Sequence, residues 1–158
     1  MASYDDIKAV TAILNDTNHQ WNDHEVFNDN PSLVETIASH IAFSIEGDSI
    51  ECAATVVDND GAVFSVVFGN QRLVRTTFMN GAVTSTVFSC ADITRVILYE
   101  VPNLAMNRFG SSDEQVAFGL QIDGEVFTVP VDKYTTRNTQ AELLALLPKL
   151  LSSISTTV

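Results

Sequence analysis

Apolar positions recur at helical spacing through the first 49 residues, and from Ile50 onward they alternate. Ser3 and Asp6 have the spacing of a capping box ahead of a first helix, whose stripe is Ile7, Val10, Ile13 and Leu14. Residues 15–30 are rich in Asn and Asp, which bond their own backbone in turns more readily than they extend a helix, so this stretch is expected to be a loop anchored by Trp21 and Phe27. A second helix is expected after Pro31, with Ser32 and Glu35 as its capping box, Leu33, Val34, Ile37, Ile41 and Ile45 on one face, and Gly47 at its end.

The alternating part divides at regular turn signals, the mark of an antiparallel meander. Strands are predicted over 50–57, 63–68, 72–78 and 83–88. They are separated by Asn59-Asp60-Gly61, Gly69-Asn70 and Asn80-Gly81, the last suited to a type I′ turn because both central residues need positive φ. Thr94 to Val101 is an apolar run closed by Pro102-Asn103, which predicts a strand lying between others. Residues 103–115 read as a loop, and Asp123-Gly124 then joins a strand at Val116–Ile122 to one at Phe127–Val131, where Pro130 removes a donor and indicates an edge or a bulge. Thr139 and Glu142 offer a capping box for a last helix containing Leu143, Leu144, Leu146, Leu147, Leu150 and Leu151, which must cover the sheet and which Pro148 should bend or end. Phe64, Phe68, Phe78, Phe88, Phe118 and Phe127 all fall on strands at core spacing, so they read as packing rather than as a base-stacking platform.

Charge changes what such a chain can bind. Of 158 residues 20 are acidic and 8 basic, for a formal charge of -12, so nucleic acid and anionic membranes are excluded as nonspecific partners. Residues 1–60 hold 12 acids and Lys8 alone among bases, whereas residues 61–110 hold two acids and four arginines. Arg72, Arg75, Arg95 and Arg108 therefore form the candidate surface for an acidic partner. The N-terminal residues carry acids where a secretory leader needs bases, and the densest apolar stretch, residues 141–151, falls short of the roughly 20 that span a bilayer. Cys52 and Cys90 lack metal or redox spacing and read as buried thiols, which agrees with a cytoplasmic protein.

Catalytic and metal motifs are missing. His19 and His24 stand among Asp16, Asp23, Glu25 and Asp29, but the spacing is not that of a zinc helix, and no EF-hand glycine is present. His40 is expected on a helix flank, with no Ser or Cys at a triad spacing, and nucleophile-elbow and phosphate-loop signatures do not occur. Asp58 and Asp60 lie in a hairpin turn too exposed to separate their pKa values for acid/base work. No catalytic residue, cofactor or metal site is assigned.

Four strands, three strands and a C-terminal amphipathic helix resemble the pleckstrin-homology-like superfold. Val67-Phe68-Gly69-Asn70-Gln71-Arg72-Leu73-Val74 and Ser89-Cys90-Ala91-Asp92-Ile93-Thr94-Arg95-Val96 are similar to segments of its bacterial members. The resemblance covers about residues 50–151 and implies an α+β seven-stranded antiparallel barrel or sandwich closed by the helix, with residues 1–49 as a helical extension packed on the same core. Its lipid-binding members hold phosphoinositides with cations at the first hairpin, where this chain has Val57-Asp58-Asn59-Asp60-Gly61, so phosphoinositide binding is not expected. The expectation is a noncatalytic protein-interaction or scaffold module whose sheet edge or C-terminal helix docks a protein or peptide. Two alternatives are an acidic binder similar to secretion chaperones or YbjN-like proteins, and a small-molecule binder with a pocket between the sheet and the N-terminal helices. The chaperone reading needs a helix between the third and fourth strands, where Asn80-Gly81 predicts a tight turn.

Overall fold

A computed structural model describes residues 2–102 and 115–154. Helices α1 (Tyr4–Asn15), α2 (Glu25–Asp29) and α3 (Leu33–Ser44) precede a four-stranded antiparallel sheet of β1 (Ile50–Val57), β2 (Val63–Gly69), β3 (Arg72–Met79) and β4 (Ala82–Ser89), in that spatial order. A 3₁₀ turn at Cys90–Asp92 leads to a second antiparallel sheet of β5 (Ile93–Glu100), β6 (Ala117–Ile122) and β7 (Glu125–Thr128), and α4 (Arg137–Ser153) follows. The class is α+β, with two separate sheets in place of a closed barrel.

The four-stranded sheet is a middle layer. One face packs Ala53, Val57, Val63, Val67 and Val74 against α1, α2 and α3, and the other packs Ala54, Val66, Phe68, Leu73 and Phe88 against the small sheet and α4. This explains why β2 reads as a nearly unbroken apolar run, because a strand covered on both faces has no water-facing positions to keep polar. Residues 1–49 thus contribute a second apolar cluster, divided from the first by the sheet.

The turn chemistry works as its residues dictate. Asn80 and Gly81 adopt φ of 54° and 78°, Asp123 and Gly124 adopt 51° and 81°, and Gly61 closes the first hairpin at 84°. Ser3 caps α1 in a full capping box with Asp6. Elsewhere the local signals were overruled. Ser32 precedes α3 without a side-chain cap bond, and the N-cap of α4 is Thr136, three residues before Thr139, whose N–H it accepts. Among the described residues strand β5 is an edge of its sheet rather than an interior strand, with Ile93 buried, Val96 and Ile97 half-buried, and Leu98 and Tyr99 exposed. Strand β7 ends at Thr128, before Pro130, and among the described residues it too is an edge. The loop expected over 103–115 lies outside the described residues as far as position 114.

Trp21 and Phe27 are buried, as expected of the anchors of the polar stretch after α1, and Thr17 and Asn18 are buried there as a polar tie. Asn18 donates through Nδ2 to the Thr55 carbonyl and to Asp132 Oδ1, both at 3.0 Å, while Thr136 donates to the Asp16 carbonyl at 2.6 Å. Asn and Asp side chains here satisfy backbone that crosses between α1, β1 and the start of α4. The short α2 follows, capped by His24 Nδ1, which accepts the Val26 N–H at 3.1 Å.

Helix α4 runs through Pro148 to Ser153. A proline inside a helix removes one backbone bond and crowds the preceding turn, at about 3 kcal/mol relative to alanine. Burial of Leu143, Leu146, Leu147 and Leu150 on either side holds the helix together across it. Pro148→Ala is therefore expected to stabilise the protein by about 1–3 kcal/mol, the gain being trimmed by the freer unfolded chain, and urea denaturation reads it directly.

Candidate functional site

Strand β4 borders the large sheet and only β3 pairs with it among the described residues. Its register with β3 is continuous over eight pairs, from Arg72↔Ser89 to Met79↔Ala82, with no bulge. Its sequence, Ala82-Val83-Thr84-Ser85-Thr86-Val87-Phe88-Ser89, has no charge and no proline. Proteins ordinarily guard free edges with lysines, prolines or bulges, and β4 has none of these. Val87 is 47% exposed beside α3, on which Phe43 is 60% exposed. Strand β5 is the other eight-residue edge with exposed apolar side chains, Leu98 and Tyr99, but it carries Arg95 and Glu100 and its register shifts twice against β6.

A row of hydroxyls crosses the large sheet on its helix-covered face. Thr55, Ser65, Thr76 and Ser85 are successive cross-strand partners, one on each strand. Thr17 Oγ1 lies 2.6 Å from Thr55 Oγ1 at one end; at the other, Thr76 Oγ1 is 2.9 Å from Ser85 Oγ, which lies 3.0 Å from His40 Nδ1. Among the described residues Ser65, 1% exposed, has no hydrogen-bond partner for its hydroxyl, and neither has the buried Trp21 indole N–H. An unmade bond at such a site costs roughly 1–3 kcal/mol. His40 was expected to lack a serine neighbour, and Ser85 supplies one from 45 positions away, a proximity no local spacing encodes. The pair does not amount to a nucleophile and base. The partner of Ser85 on its other side is Thr76, and among the described residues no carboxylate bonds the imidazole to orient it.

The two sheets splay apart between β2, β3 and β7 and leave a cleft of about 330 Å³. Phe64, Val66, Phe127, Val129 and Val131 line it, and Arg75 reaches its wall with the guanidinium carbon 5.1 Å from the centroid of the Phe127 ring. A wider cleft of about 600 Å³ lies between α2 and the two hairpin turns, with Glu25, Asp29, Asp58 and Asp60 on its walls.

Arg72 and Arg75 lie on opposite faces of β3. Arg72 donates to the carbonyls of Ser44 at 3.4 Å and Glu46, tying β3 to the end of α3. Arg95 is exposed on β5, and Arg108 lies outside the described residues. An odd interval between Arg72 and Arg75 already places them on opposite faces of a strand.

The thiols differ from each other. Burial, with the Glu142 charge adding to it, pushes Cys52 up to about 12, so it stays a protonated packing group. Cys90 is half-buried rather than buried, and its pKa is raised by burial and by Asp48. His19 donates its backbone N–H to the Tyr134 carbonyl, and the His24 imidazole caps α2. Among the described residues no group of three or more His, Cys, Asp or Glu could hold a metal ion, and no helix is long and apolar enough to cross a membrane.

No family model, curated protein or solved structure matches the chain.

Proposed function

We propose that this is a noncatalytic protein-interaction or scaffold module of the cytoplasm, PH-like in its 4+3 strand order, that takes an extended segment of a protein partner along β4. The observation that carries this reading is the uninterrupted, uncharged and unguarded β4 edge. A bound segment would pair its backbone with the free side of β4, and every second side chain would meet Val87 and Phe43 on the helix side. A neutral edge matters in a chain of charge -12, since a partner strand meets no carboxylate along the eight residues it must approach.

Ten-residue peptides selected by display against the full-length protein test this. They should alternate apolar and polar residues and lose binding when proline replaces a central position. Val87→Lys should weaken them at least tenfold and Val126→Lys, on the other sheet, less than twofold. Both sites are about half exposed, so neither change should lower stability appreciably. Peptides indifferent to Val87→Lys and Phe43→Ser would remove the β4 reading. Self-association abolished by Val87→Lys would identify the bound segment as β4 of a second copy.

A further inference from the structure

The cleft between the sheets is a candidate small-molecule site, distinct from the β4 edge. Three observations bear on what it would take. Phe64, Val66, Phe127, Val129 and Val131 give it an apolar side, and Arg75, Thr77 and Thr128 give it a polar one. None of the acidic residues among the described residues lies on that lining, although acids outnumber bases by 20 to 8 in the sequence. Arg75 is the cation of the lining, and among the described residues its guanidinium has neither a hydrogen bond nor a carboxylate partner, only the face of Phe127.

Arg75 differs from the exposed Arg95 in resting against an apolar wall of a cleft, on the Phe127 ring. The ring holds the guanidinium in place through cation–π attraction without using its five N–H donors, which are left to address a ligand. A planar fork of donors beside an apolar trough matches a molecule with a carboxylate head and a hydrocarbon tail, the carboxylate being the anion that a guanidinium binds through two parallel bonds. At roughly 30 Å³ for each water-sized group, about 330 Å³ holds on the order of ten non-hydrogen atoms. We infer that the cleft binds a medium-chain aliphatic carboxylate, with the head on Arg75 and the tail between β2 and β7.

The test uses the full-length protein, decanoate below its micelle concentration, and decan-1-ol as the uncharged counterpart, each followed by calorimetry and by thermal shift at neutral pH. Decanoate should bind and raise Tm, and more tightly than the alcohol. Arg75→Gln should weaken decanoate at least tenfold while changing the alcohol less than threefold. Thr77→Trp, on the same face of β3 as Arg75 and at the mouth of the cleft, should exclude both. An unchanged far-ultraviolet spectrum and a Tm within a few degrees of the parent establish that each variant is folded. The inference is overturned by the absence of decanoate binding, by decanoate binding that survives Thr77→Trp, or by equal losses of acid and alcohol in Arg75→Gln.

Discussion

Phe118→Ala is expected to remove about 3–5 kcal/mol of stability, a large part of what a domain of this size possesses. Phe118 lies on β6, is fully buried, and has its ring 6.5 Å from that of Phe68 on the large sheet. The two rings join the sheets at the centre of the cluster that α4 covers with Leu143 and Leu147. Deleting the ring removes its transfer free energy and leaves a hole that two sheets and a helix, each fixed by its own hydrogen bonds, cannot close. At about 2–4 °C per kcal/mol for a chain of this length, Tm should fall by on the order of 10 °C. Val126→Ala, four residues before Pro130 on β7 and more than half exposed, should change stability by less than about 0.5 kcal/mol in the same urea titration. Equal effects at the two positions would mean that the sheets are not joined through Phe118.

The strands were legible because their information is local. Alternation marks a face, and the Asn80-Gly81 and Asp123-Gly124 pairs mark reversals through a φ preference that needs no tertiary context. The same holds for Ser3 with Asp6. What failed depends on neighbours distant in sequence. The apolar run of β5 resembles an interior strand, yet interior and edge strands differ in what lies beside them, and only the assembled sheet decides that. Thr136 displaced Thr139 as the cap of α4: it accepts the Thr139 N–H, and both hydroxyls donate to the Asp16 carbonyl, Thr136 at 2.6 Å and Thr139 at 3.4 Å, from more than 100 residues away. Pro148 did not end the helix because the leucines beyond it gain more by burial than the lost bond costs.

The candidate sites were legible in part for the same reason. Composition identified where the arginines concentrate, but strand parity separates Arg72 from Arg75, and tertiary contacts gave one a structural tie and the other an aromatic rest. The expected general resource, a sheet edge, is present, and its location on β4 follows from strand order together with the lack of charge in residues 82–89. The cleft between the sheets had no sequence signal, because its walls come from β2, β3 and the segment after β7, each of which looks like ordinary core by itself. The hydroxyl row is an intermediate case. Thr55, Ser65, Thr76 and Ser85 interrupt four apolar strands at positions that align once the hairpin turns set the register, so the row could be derived from turn positions alone.

Asp48 is the residue whose importance the sequence concealed most, and Asp48→Asn is expected to cost about 2 kcal/mol at neutral pH. Its carboxylate follows α3 and accepts four backbone N–H groups: Ser49 at 2.9 Å, Asn70 at 3.1 Å, Gln71 at 2.8 Å and Arg72 at 2.9 Å. The last three belong to the β2–β3 turn, so one side chain fixes that hairpin to the loop entering β1. Gly69 leaves the room: a Cβ there would come 2.4 Å from Asp48 Oδ2 and 2.7 Å from Ile45. Partial burial works to raise the Asp48 pKa, but the four donors together outweigh it and hold the carboxyl below its ordinary value of 3.8. A carboxylate whose pKa is depressed by folding contributes stability that is complete above the unfolded value and disappears as pH falls through the folded one. The gap between the parent and Asp48→Asn should therefore be constant from pH 7 to about pH 5 and narrow steadily below pH 4, because the amide does not titrate and the parent loses its anion. The site is only half-buried, which keeps the effect at the lower end for a charged acceptor. Thermal melts of both proteins between pH 7 and pH 3 measure it, and a gap that persists unchanged at pH 3 would show that the side chain acts by shape rather than by charge.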